Sequence, residues 1–358
     1  MSPSLPAASR GFYEERHLLA PRQELRPESA REFRDVLGKL HSDGEAFEIL
    51  GDGQHARRLS DESRTVLRTD ALDRVMEIHE KSGLIRVEAG ITWKALRQKL
   101  NEEGLSLQRY GLHPATATIG GMLARHQPGP AALHEGDLIG GCVAVGAHAP
   151  EAGDYRYLVA PRKASGPDLR YRFIGNQGLQ GVILDATLVV WRPVSQRLLR
   201  WNETSLARAA EIMNCVFDGG IKHSGVHYSH KRQCLQLFLT APGQLLRSRV
   251  RWIGDVVGKP DEIGDEEVVE TRRAWLEARH PDRRSHPDAH RTRVFWLASS
   301  ALAREPEKLV GKDVSEIEIV AWNAQRVEAF VRYGEEETQS ARQPPPADSC
   351  WAAWPLIA

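Results

Sequence analysis

The spacing of apolar residues changes along the chain between a helical period and a strand-like one. Helical spacing over Ser29–Ser42 predicts a first helix, and the apolar run Phe47–Leu50 predicts a strand that leads into the glycine-bearing turn Gly51–His55. Between Arg64 and Ala89 we expect short strands to alternate with short helices, with central apolar positions at Leu72, Val75, Met76 and Ile78. This pattern is typical of a mixed α and β protein.

A second helix is predicted to begin after Thr92, whose side chain suits an N-cap, and to end near Gly104. Strand patterns follow at Cys142–Val145, Tyr155–Ala160 and Val182–Trp191. Glycine becomes rarer and the amphipathic patterns become longer after these strands, so we place a domain boundary between residues 194 and 195.

Beyond that boundary the patterns predict a second α+β region. Helices are expected around Leu206–Met213, Leu246–Val257 and Glu267–Arg279. The remaining apolar runs predict a hairpin and three further strands, which are Gly225–Tyr228, Leu235–Thr240, Arg293–Ser299, Ile317–Trp322 and Val327–Tyr333.

Composition narrows the class of protein. The chain has 358 residues, enough for about two domains, and its basic residues balance its acidic residues, which argues against a broad nucleic-acid surface. No segment has the ~20 apolar residues of a membrane-spanning helix, and the N-terminus has no signal-peptide pattern, so we expect a cytoplasmic protein. The cysteines contain no Cys-x-x-Cys pair and indicate reduced thiols; they are Cys142, Cys215, Cys234 and Cys350.

Three clusters of glycine residues are the strongest candidates for ligand binding. The first is Gly51–Gly53, the second lies within Pro114–Gly121, and the third runs from Ser165 to Ile183. Because glycine lets the main chain approach a ligand, successive N–H groups in such turns can hold a diphosphate without a cation. No Gly-x-Gly-x-x-Gly pattern opens a helix, so the clusters do not predict a Rossmann site.

In this order, the three clusters and the segment Val87–Leu96 resemble the FAD-binding domain of the vanillyl-alcohol oxidase and p-cresol methylhydroxylase (PCMH) family of flavoproteins. The resemblance spans about Leu25–Pro193. Within that family, the length and the small second region are most similar to the FAD-binding subunit of bacterial glycolate oxidase.

The resemblance implies an α+β fold, with a two-subdomain PCMH-type FAD-binding domain followed by a smaller α+β, ferredoxin-like cap domain. We therefore expect a flexible leader over residues 1–23, the FAD-binding domain over 24–194, the cap domain over 195–334 and a flexible tail over 335–358.

The resemblance also implies which residues hold the FAD. The first cluster would bind the pyrophosphate and the second would flank the ribityl and diphosphate portions. The third would close over the isoalloxazine and the adenosine, and its last residue would offer backbone hydrogen bonds to adenine. In order, these residues are Gly51, Asp52, Gly53, Gln54, His55, Pro114, Thr116, Thr118, Gly120, Gly121, Gly166, Asp168, Gly175, Gly178, Gly181 and Ile183.

The FAD is expected to be bound non-covalently. Some family members attach the flavin through a histidine in the first turn, but the register places Gln54 at that position and His55 beside it. Attachment through His55 stays an alternative to a polar loop residue beside the phosphates.

The implied function is an FAD-dependent oxidoreductase that oxidises a small hydroxy acid or alcohol by hydride transfer to flavin N5. The second region offers no clear catalytic set, so no catalytic residue is assigned. The alternative is a flavin-binding, non-catalytic subunit or scaffold that supports a partner oxidoreductase. The expected partner is a small-molecule substrate; a protein electron acceptor or a partner subunit is a further candidate, and the electron acceptor itself stays open.

Two groups of basic residues in the second region leave alternatives open. His223, His227 and His230 have metal-ligand spacing only on a helix, and nearby glycines favour a strand, so we predict no metal site. His227 or Tyr228 could face the flavin as an acid or base. The most basic stretch is either a docking surface for an anionic substrate or partner subunit, or a solvated face; its arginines are Arg272, Arg273, Arg279, Arg283, Arg284, Arg291 and Arg293.

Overall fold

The structure is a computed structural model of the chain. Its described residues are 21–53, 64–107, 115–125, 138–156, 168–265, 269, 293–297, 314–322, 327–333 and 352–353.

A small parallel sheet forms the first layer, with its strands in the order β1–β3–β2. One face of this sheet is covered by helix α1 (Ala30–Ser42), which begins where the Ser29 side chain accepts a hydrogen bond from the Glu32 N–H. Phe33 and Leu37 of the helix pack against the strands in a small buried core. The strands are β1 (Gln23–Leu25), β2 (Phe47–Leu50) and β3 (Thr65–Arg68).

A five-stranded antiparallel sheet forms the second layer, in the order β4–β5–β8–β6–β7. Helices α2 (Trp93–Glu102) and α3 (Ile119–Arg125) pack on it in one continuous hydrophobic core. The Thr92 side chain caps α2 by accepting from the Ala95 N–H, as the sequence predicts. The strands are β4 (Val75–His79), β5 (Leu84–Glu88), β6 (Cys142–Ala149), β7 (Gly153–Arg156) and β8 (Val182–Val189).

An eight-stranded sheet contains the remaining strands. Its first half has the order β12–β9–β11–β10 and is covered on one face by α4 (Leu206–Asp218) and α5 (Gly243–Val257). The chain order β9–α4–β10–β11–α5–β12 with this strand order is a ferredoxin-like arrangement. The first four strands are β9 (Gln196–Trp201), β10 (Gly225–Ser229), β11 (Cys234–Thr240) and β12 (Glu262–Gly264).

The second half of this sheet continues from β10 in the order β14–β15–β13–β16. The predicted strands Arg293–Ser299, Ile317–Trp322 and Val327–Tyr333 correspond to three of its members. The last strand lies in the segment predicted to be a flexible tail and pairs with the strand at Arg293. The strands are β13 (Arg293–Leu297), β14 (Val314–Trp322), β15 (Val327–Tyr333) and β16 (Ala352–Ala353).

One element differs in type from its prediction. The apolar positions around Val75 and Ile78 belong to strand β4, and not to a short helix. A register shift between Val75 and Glu77 inserts a bulge, so Val75 and Ile78 both pack toward the core although they are three residues apart. The bulge therefore gives a strand the apolar spacing of a helix.

The predicted domain boundary at residue 194/195 falls between β8 and β9, and it stays a prediction. The predicted helix Glu267–Arg279 lies outside the described residues, apart from Val269. Within the described part of the chain, no helix is both long enough and apolar enough to cross a membrane.

Candidate functional site

The first glycine turn, Gly51–Gly53, directly meets the second turn, Thr116–Gly121. A Cβ atom placed on Gly51 would overlap Thr118 Oγ1 and would lie 3.1 Å from Thr118 Cγ2. The Thr118 side chain is only 1% exposed, so it has little room to move aside. The first turn continues to Gly53, which has a φ of 74°, a left-handed conformation that glycine adopts without strain.

Thr118 also organises the second turn. Its Oγ1 accepts a hydrogen bond from the Gly121 N–H at 3.3 Å, which caps the start of α3. The Gly120 N–H donates to the Ala89 carbonyl at 2.7 Å, and a Cβ on Gly120 would lie 2.7 Å from the Ala89 side chain. The second turn is thus held from one side by Gly51 and from the other by Ala89.

The third turn, Asp168–Gly181, is bonded to the end of α3. The Gly175 N–H donates to the Leu123 carbonyl at 3.0 Å, and the Gln177 N–H donates to the Ala124 carbonyl at 2.8 Å. Because α3 begins at the second turn and its last carbonyl groups bond to the third turn, this short helix connects two of the glycine clusters.

Asp168 acts within the third turn through Arg170. Its carboxylate caps a short 3₁₀ turn by accepting from the Arg170 N–H at 3.1 Å and also pairs with the Arg170 guanidinium, 2.5 Å at the closest. The same guanidinium donates to the main-chain carbonyl of Cys142 at the start of β6. Asp168 therefore shapes this segment and joins it to the sheet.

The end of the third turn fits closely against β6. Gly181 has a φ of 138°, and a Cβ there would lie 2.5 Å from the His148 carbonyl oxygen and 3.0 Å from the Phe173 ring. Gly178 has a φ of 83° with open space around it. Ile183 is buried and lies opposite Ala147 in the pairing of β8 with β6.

The three clusters thus form one connected group, and this geometry fits an FAD. Gly51 and Gly120 lie where a side chain would collide with the neighbouring turn or strand, so main-chain groups are brought close together. Thr116 and Gly175 are exposed, and Gly51 and Asp52 are half-buried, so the group has an accessible surface. Gln54, His55, Pro114 and Gly166 lie outside the described residues.

A second candidate group, of which the sequence analysis singled out only His227, lies on the ferredoxin-like sheet. His227 of β10 lies opposite Gln236 of β11, which lies opposite Arg200 of β9, which lies opposite Glu262 of β12. The strand neighbours of His227, Gln236 and Arg200 face the helix-covered core, and Glu262 pairs directly with Arg200, so these four side chains share the other face. We call them the polar row.

The polar row is partly buried. His227 and Gln236 are 3% and 4% exposed, whereas the Arg200 side chain is 38% exposed. Arg200 Nε donates to Cys234 Sγ at 3.4 Å, and its Nη1 donates to Glu262 Oε2 at 3.2 Å. The hydrogen bond to Cys234 is the main cause that raises the pKa of Arg200, so the guanidinium stays charged.

The histidines singled out in the sequence lie in three different surroundings. His223 is buried with its ring 6.0 Å from that of Phe217, His227 belongs to the polar row, and His230 lies in the turn between β10 and β11. Within the described residues there is no group of three side chains that could hold a metal ion.

His227 and Tyr228 point to opposite faces of the sheet, so only one of them can belong to the polar row. Tyr228 lies in the helix-covered core, where burial raises its pKa to about 12. The interpretation of Tyr228 as a group facing the flavin is therefore disfavoured. The basic stretch before Arg293 lies outside the described residues.

Comparison with known proteins finds a family match in the N-terminal part of the chain. Residues 21–158 match the family model of an FAD binding domain. This part of the chain is therefore similar to FAD-binding domains. The match includes the first and second turns and ends before the third.

Curated relatives are similar to this chain over less than half of its length. Alkyldihydroxyacetonephosphate synthase of Caenorhabditis elegans is 24% identical over 46% of this chain and 29% of that protein. Mitochondrial D-2-hydroxyglutarate dehydrogenase of Bos taurus is 26% identical over 46% and 31% of the two chains. Mitochondrial D-lactate dehydrogenase (cytochrome) of Arabidopsis thaliana is 30% identical over 43% of this chain and 27% of that protein. The matched region thus spans less than a third of each relative.

Solved structures show that the similarity in fold extends further. Two structures of alkyldihydroxyacetonephosphate synthase each cover 89% of this chain, with TM-scores of 0.69 and 0.67 and sequence identities of 14% and 15%. The matched regions make up 71% and 68% of the two synthase chains. Together with the family match over residues 21–158, this likeness confirms the predicted fold class.

Proposed function

We propose that the chain is an FAD-dependent oxidoreductase that oxidises a small hydroxy acid or alcohol. The observation that carries the proposal is the contact between Gly51 and Thr118, which joins two glycine turns within the segment matched as an FAD-binding domain. Three curated relatives have dehydrogenase or synthase names, and two of those names specify a D-hydroxy acid.

In this proposal the glycine turns hold the cofactor with main-chain groups. The first turn, with Gln54 and His55, contacts the pyrophosphate; the second turn, with Pro114, flanks the ribityl chain. The third, with Gly166, closes over the ring system, and Ile183 bonds the adenine through its backbone. The FAD is bound non-covalently and, when bound, supplies the hydride acceptor at its N5.

The substrate is proposed to contact the polar row. The cap domain would comprise residues 195–334 and the FAD-binding domain residues 24–194. Arg200 suits a carboxylate, since its partner Glu262 is 46% exposed and a partly solvated ion pair is weak enough to exchange for a substrate. His227 is the candidate for accepting the proton of the substrate hydroxyl group.

Cofactor binding is tested first, by the visible absorption of the purified protein after incubation with FAD. We expect a yellow protein that releases all its flavin on acid precipitation, as a non-covalent complex does. Flavin retained in the precipitate would indicate covalent attachment and revive His55 as the attachment site. Colourless protein that takes up no FAD would contradict the proposal.

Substrate oxidation is tested by anaerobic mixing of the flavin-loaded protein with D-lactate, D-2-hydroxyglutarate or glycolate. Bleaching of the flavin absorption by one of them supports a hydroxy-acid oxidoreductase. Bleaching by glycolate above the others would favour the narrower likeness to glycolate oxidase. If no hydroxy acid, alcohol or amine bleaches bound FAD, catalysis by this chain alone is unsupported.

The role of the polar row is tested by Arg200→Gln. Loss of a charged donor to a carboxylate should raise the hydroxy-acid concentration needed for half-maximal bleaching rate by about tenfold or more. Arg197→Gln is the matched control, because Arg197 lies on the same strand but faces the other side of the sheet. Equal effects of the two substitutions would remove the polar row from the proposal.

The alternative function is a flavin-binding subunit that supports a partner oxidoreductase. It is favoured by the engagement of Arg200 with both Glu262 and Cys234, which leaves the polar row without a clearly vacant cation among its described members. Bound FAD that bleaches only after a partner protein is added would support this alternative. Full turnover by the isolated chain would exclude it.

A cytoplasmic location is part of the proposal. The described cysteines Cys142, Cys215 and Cys234 are free thiols, which suits a reducing compartment. Fractionation of cells that express the full-length natural protein tests this location, and recovery in an exported fraction would contradict it.

A further inference from the structure

The first and second turns are connected by a closed ring of main-chain contacts. Leu50, which precedes the first turn, accepts a hydrogen bond from the Thr69 N–H at 2.8 Å. The Thr69 carbonyl accepts from the Leu72 N–H at 2.9 Å, and the Leu72 carbonyl accepts from the Gly90 N–H at 2.8 Å. The ring continues through Ala89, the residue before Gly90 in the sequence. The Ala89 carbonyl accepts a hydrogen bond from the Gly120 N–H of the second turn.

The ring closes through the contact between Gly51 and Thr118 that joins the two turns directly. It also crosses between layers, because Thr69 follows a strand of the parallel sheet whereas Gly90 follows a strand of the antiparallel sheet. A Cβ on Gly90 would overlap the Thr69 carbonyl oxygen and would lie 2.9 Å from the Leu72 carbonyl oxygen. The two layers therefore meet here main chain against main chain.

One side-chain hydrogen bond reinforces this ring. Thr69 Oγ1 donates to the same Leu50 carbonyl that accepts the Thr69 N–H, at a distance of 3.3 Å. Thr69 is buried, with 6% of its surface exposed, so this bond is shielded from competing water.

The position of the Leu50 carbonyl matters because of the geometry of the peptide group. The Leu50 C=O and the Gly51 N–H belong to one planar trans peptide and point in opposite directions. Two donors from Thr69 on this carbonyl thus fix the direction in which the first N–H of the Gly51–Gly53 turn points. A change at Thr69 would rotate that N–H without removing any residue of the turn.

We infer that Thr69 is a positioning residue for the cofactor site, which acts by aiming the Gly51 N–H at the FAD pyrophosphate. The inference rests on the proposed role of Gly51–Gly53 in FAD binding. It assigns a function to a residue that lies outside all three glycine clusters.

The test compares Thr69→Val with Thr65→Val. Thr65 is a buried threonine at the start of the strand that Thr69 follows, and its Oγ1 donates to Glu45 Oε2 at 3.4 Å. Each substitution replaces one buried, bonded hydroxyl with a methyl group and keeps the main-chain bonds. The dissociation constant for FAD is measured by the quenching of flavin fluorescence, and the thermal midpoint of the FAD-free protein is measured in parallel.

We expect Thr69→Val to raise the dissociation constant for FAD about three- to tenfold, the range for loss of one neutral hydrogen bond. Thr65→Val should change it less than about twofold, although both variants lower the thermal midpoint. Thr69→Ser, which keeps the hydroxyl, should restore wild-type affinity. Thr69→Ala and Thr65→Ala repeat the comparison without adding apolar surface, in case a valine variant does not fold.

Each outcome has one interpretation. Equal FAD affinities of the Thr69 and Thr65 variants, with similar losses of thermal stability, would reduce Thr69 to a structural residue and overturn the inference while leaving the proposed function intact. Failure of the wild-type protein itself to bind FAD would overturn the proposed function and this inference together.

Discussion

Gly51 and Thr118 are separated by 67 positions in the sequence, yet a Cβ on Gly51 would occupy the space of the Thr118 hydroxyl group. Thr118 is buried and its Oγ1 accepts a hydrogen bond from the Gly121 N–H, so its side chain has little room to move away from Gly51. This contact lets the first and second turns act as one surface, and it makes Gly51 sensitive to the smallest side chain.

Gly51→Ala should therefore weaken both the fold and FAD binding. The added methyl group overpacks a buried contact, which costs about 1–3 kcal/mol of unfolding free energy, and it separates the two turns. We expect a lower urea midpoint and an FAD affinity reduced about tenfold or more, measured by flavin fluorescence titration.

Gly38→Ala is the control for loss of a glycine in the same layer. Gly38 lies inside α1 and a Cβ there would meet no atom within 4 Å. This substitution should stabilise the protein by up to about 1 kcal/mol, because alanine favours a helix over glycine. An FAD affinity that falls equally in both variants would show that the Gly51–Thr118 contact does not control the site.

The spacing of apolar residues was sufficient to predict helices α1 and α2. Helix α1 lies within the predicted segment Ser29–Ser42, Thr92 caps α2 as predicted, and the apolar faces of both helices are buried. Strand β9 was missed because Leu198, Leu199 and Trp201 are all buried, so the segment lacks the alternation of a strand with one exposed face.

One part of the candidate site could be predicted from local sequence patterns, whereas another part depends on contacts between residues far apart in the sequence. The glycine turns could be predicted, because glycine and threonine have recognisable chemistry in turns. The polar row could not, since His227, Gln236 and Arg200 lie on three strands whose register is set by pairing across the sheet. Thr69 and Gly90 meet only once both sheets have formed.

Gly181 and Gly178 provide a second test of close packing. Gly181→Ala should cost about 3 kcal/mol or more, because the backbone is left-handed and the new Cβ would lie 2.5 Å from the His148 carbonyl oxygen. Gly178→Ala has only the backbone strain, about 1–2 kcal/mol, since nothing lies within 4 Å. Urea unfolding of both variants measures the difference, and equal losses would contradict the packing of Gly181 against β6.

Arg170 joins the third turn to β6 through its planar guanidinium. Arg170→Lys keeps the positive charge but cannot bond both Asp168 oxygens and the Cys142 carbonyl together, so we expect a loss of about 1–3 kcal/mol in urea unfolding. Arg172→Lys, at an exposed position in the same 3₁₀ turn, should change stability by less than about 0.5 kcal/mol. Indistinguishable midpoints for the two variants would argue against the bridge.

Stability at alkaline pH depends on groups that are buried in the protonated form. Burial raises the pKa of Tyr228 from 10.0 to about 12 and that of the Cys142 thiol from 9.0 to about 12. The folded protein holds these protons more tightly than the unfolded chain does. Both contributions are therefore fully present below about pH 9, and stability should fall as the pH rises toward 12.

Tyr228→Phe isolates one of these contributions. It removes the phenol while Cys142 still titrates, so the variant should lose less stability than the wild type between about pH 10 and pH 12. The urea midpoints of both proteins are measured at about pH 8, 10 and 11. The difference between the two midpoints at the lowest pH gives the effect of losing the hydroxyl group before it ionises. Because the neutral phenol is favoured by the core formed with α4 and α5, the wild-type midpoint must fall more steeply than that of the variant as the pH rises. Curves that stay parallel over this range would show that Tyr228 ionises equally in the folded and unfolded chains, and would place its hydroxyl group in contact with solvent.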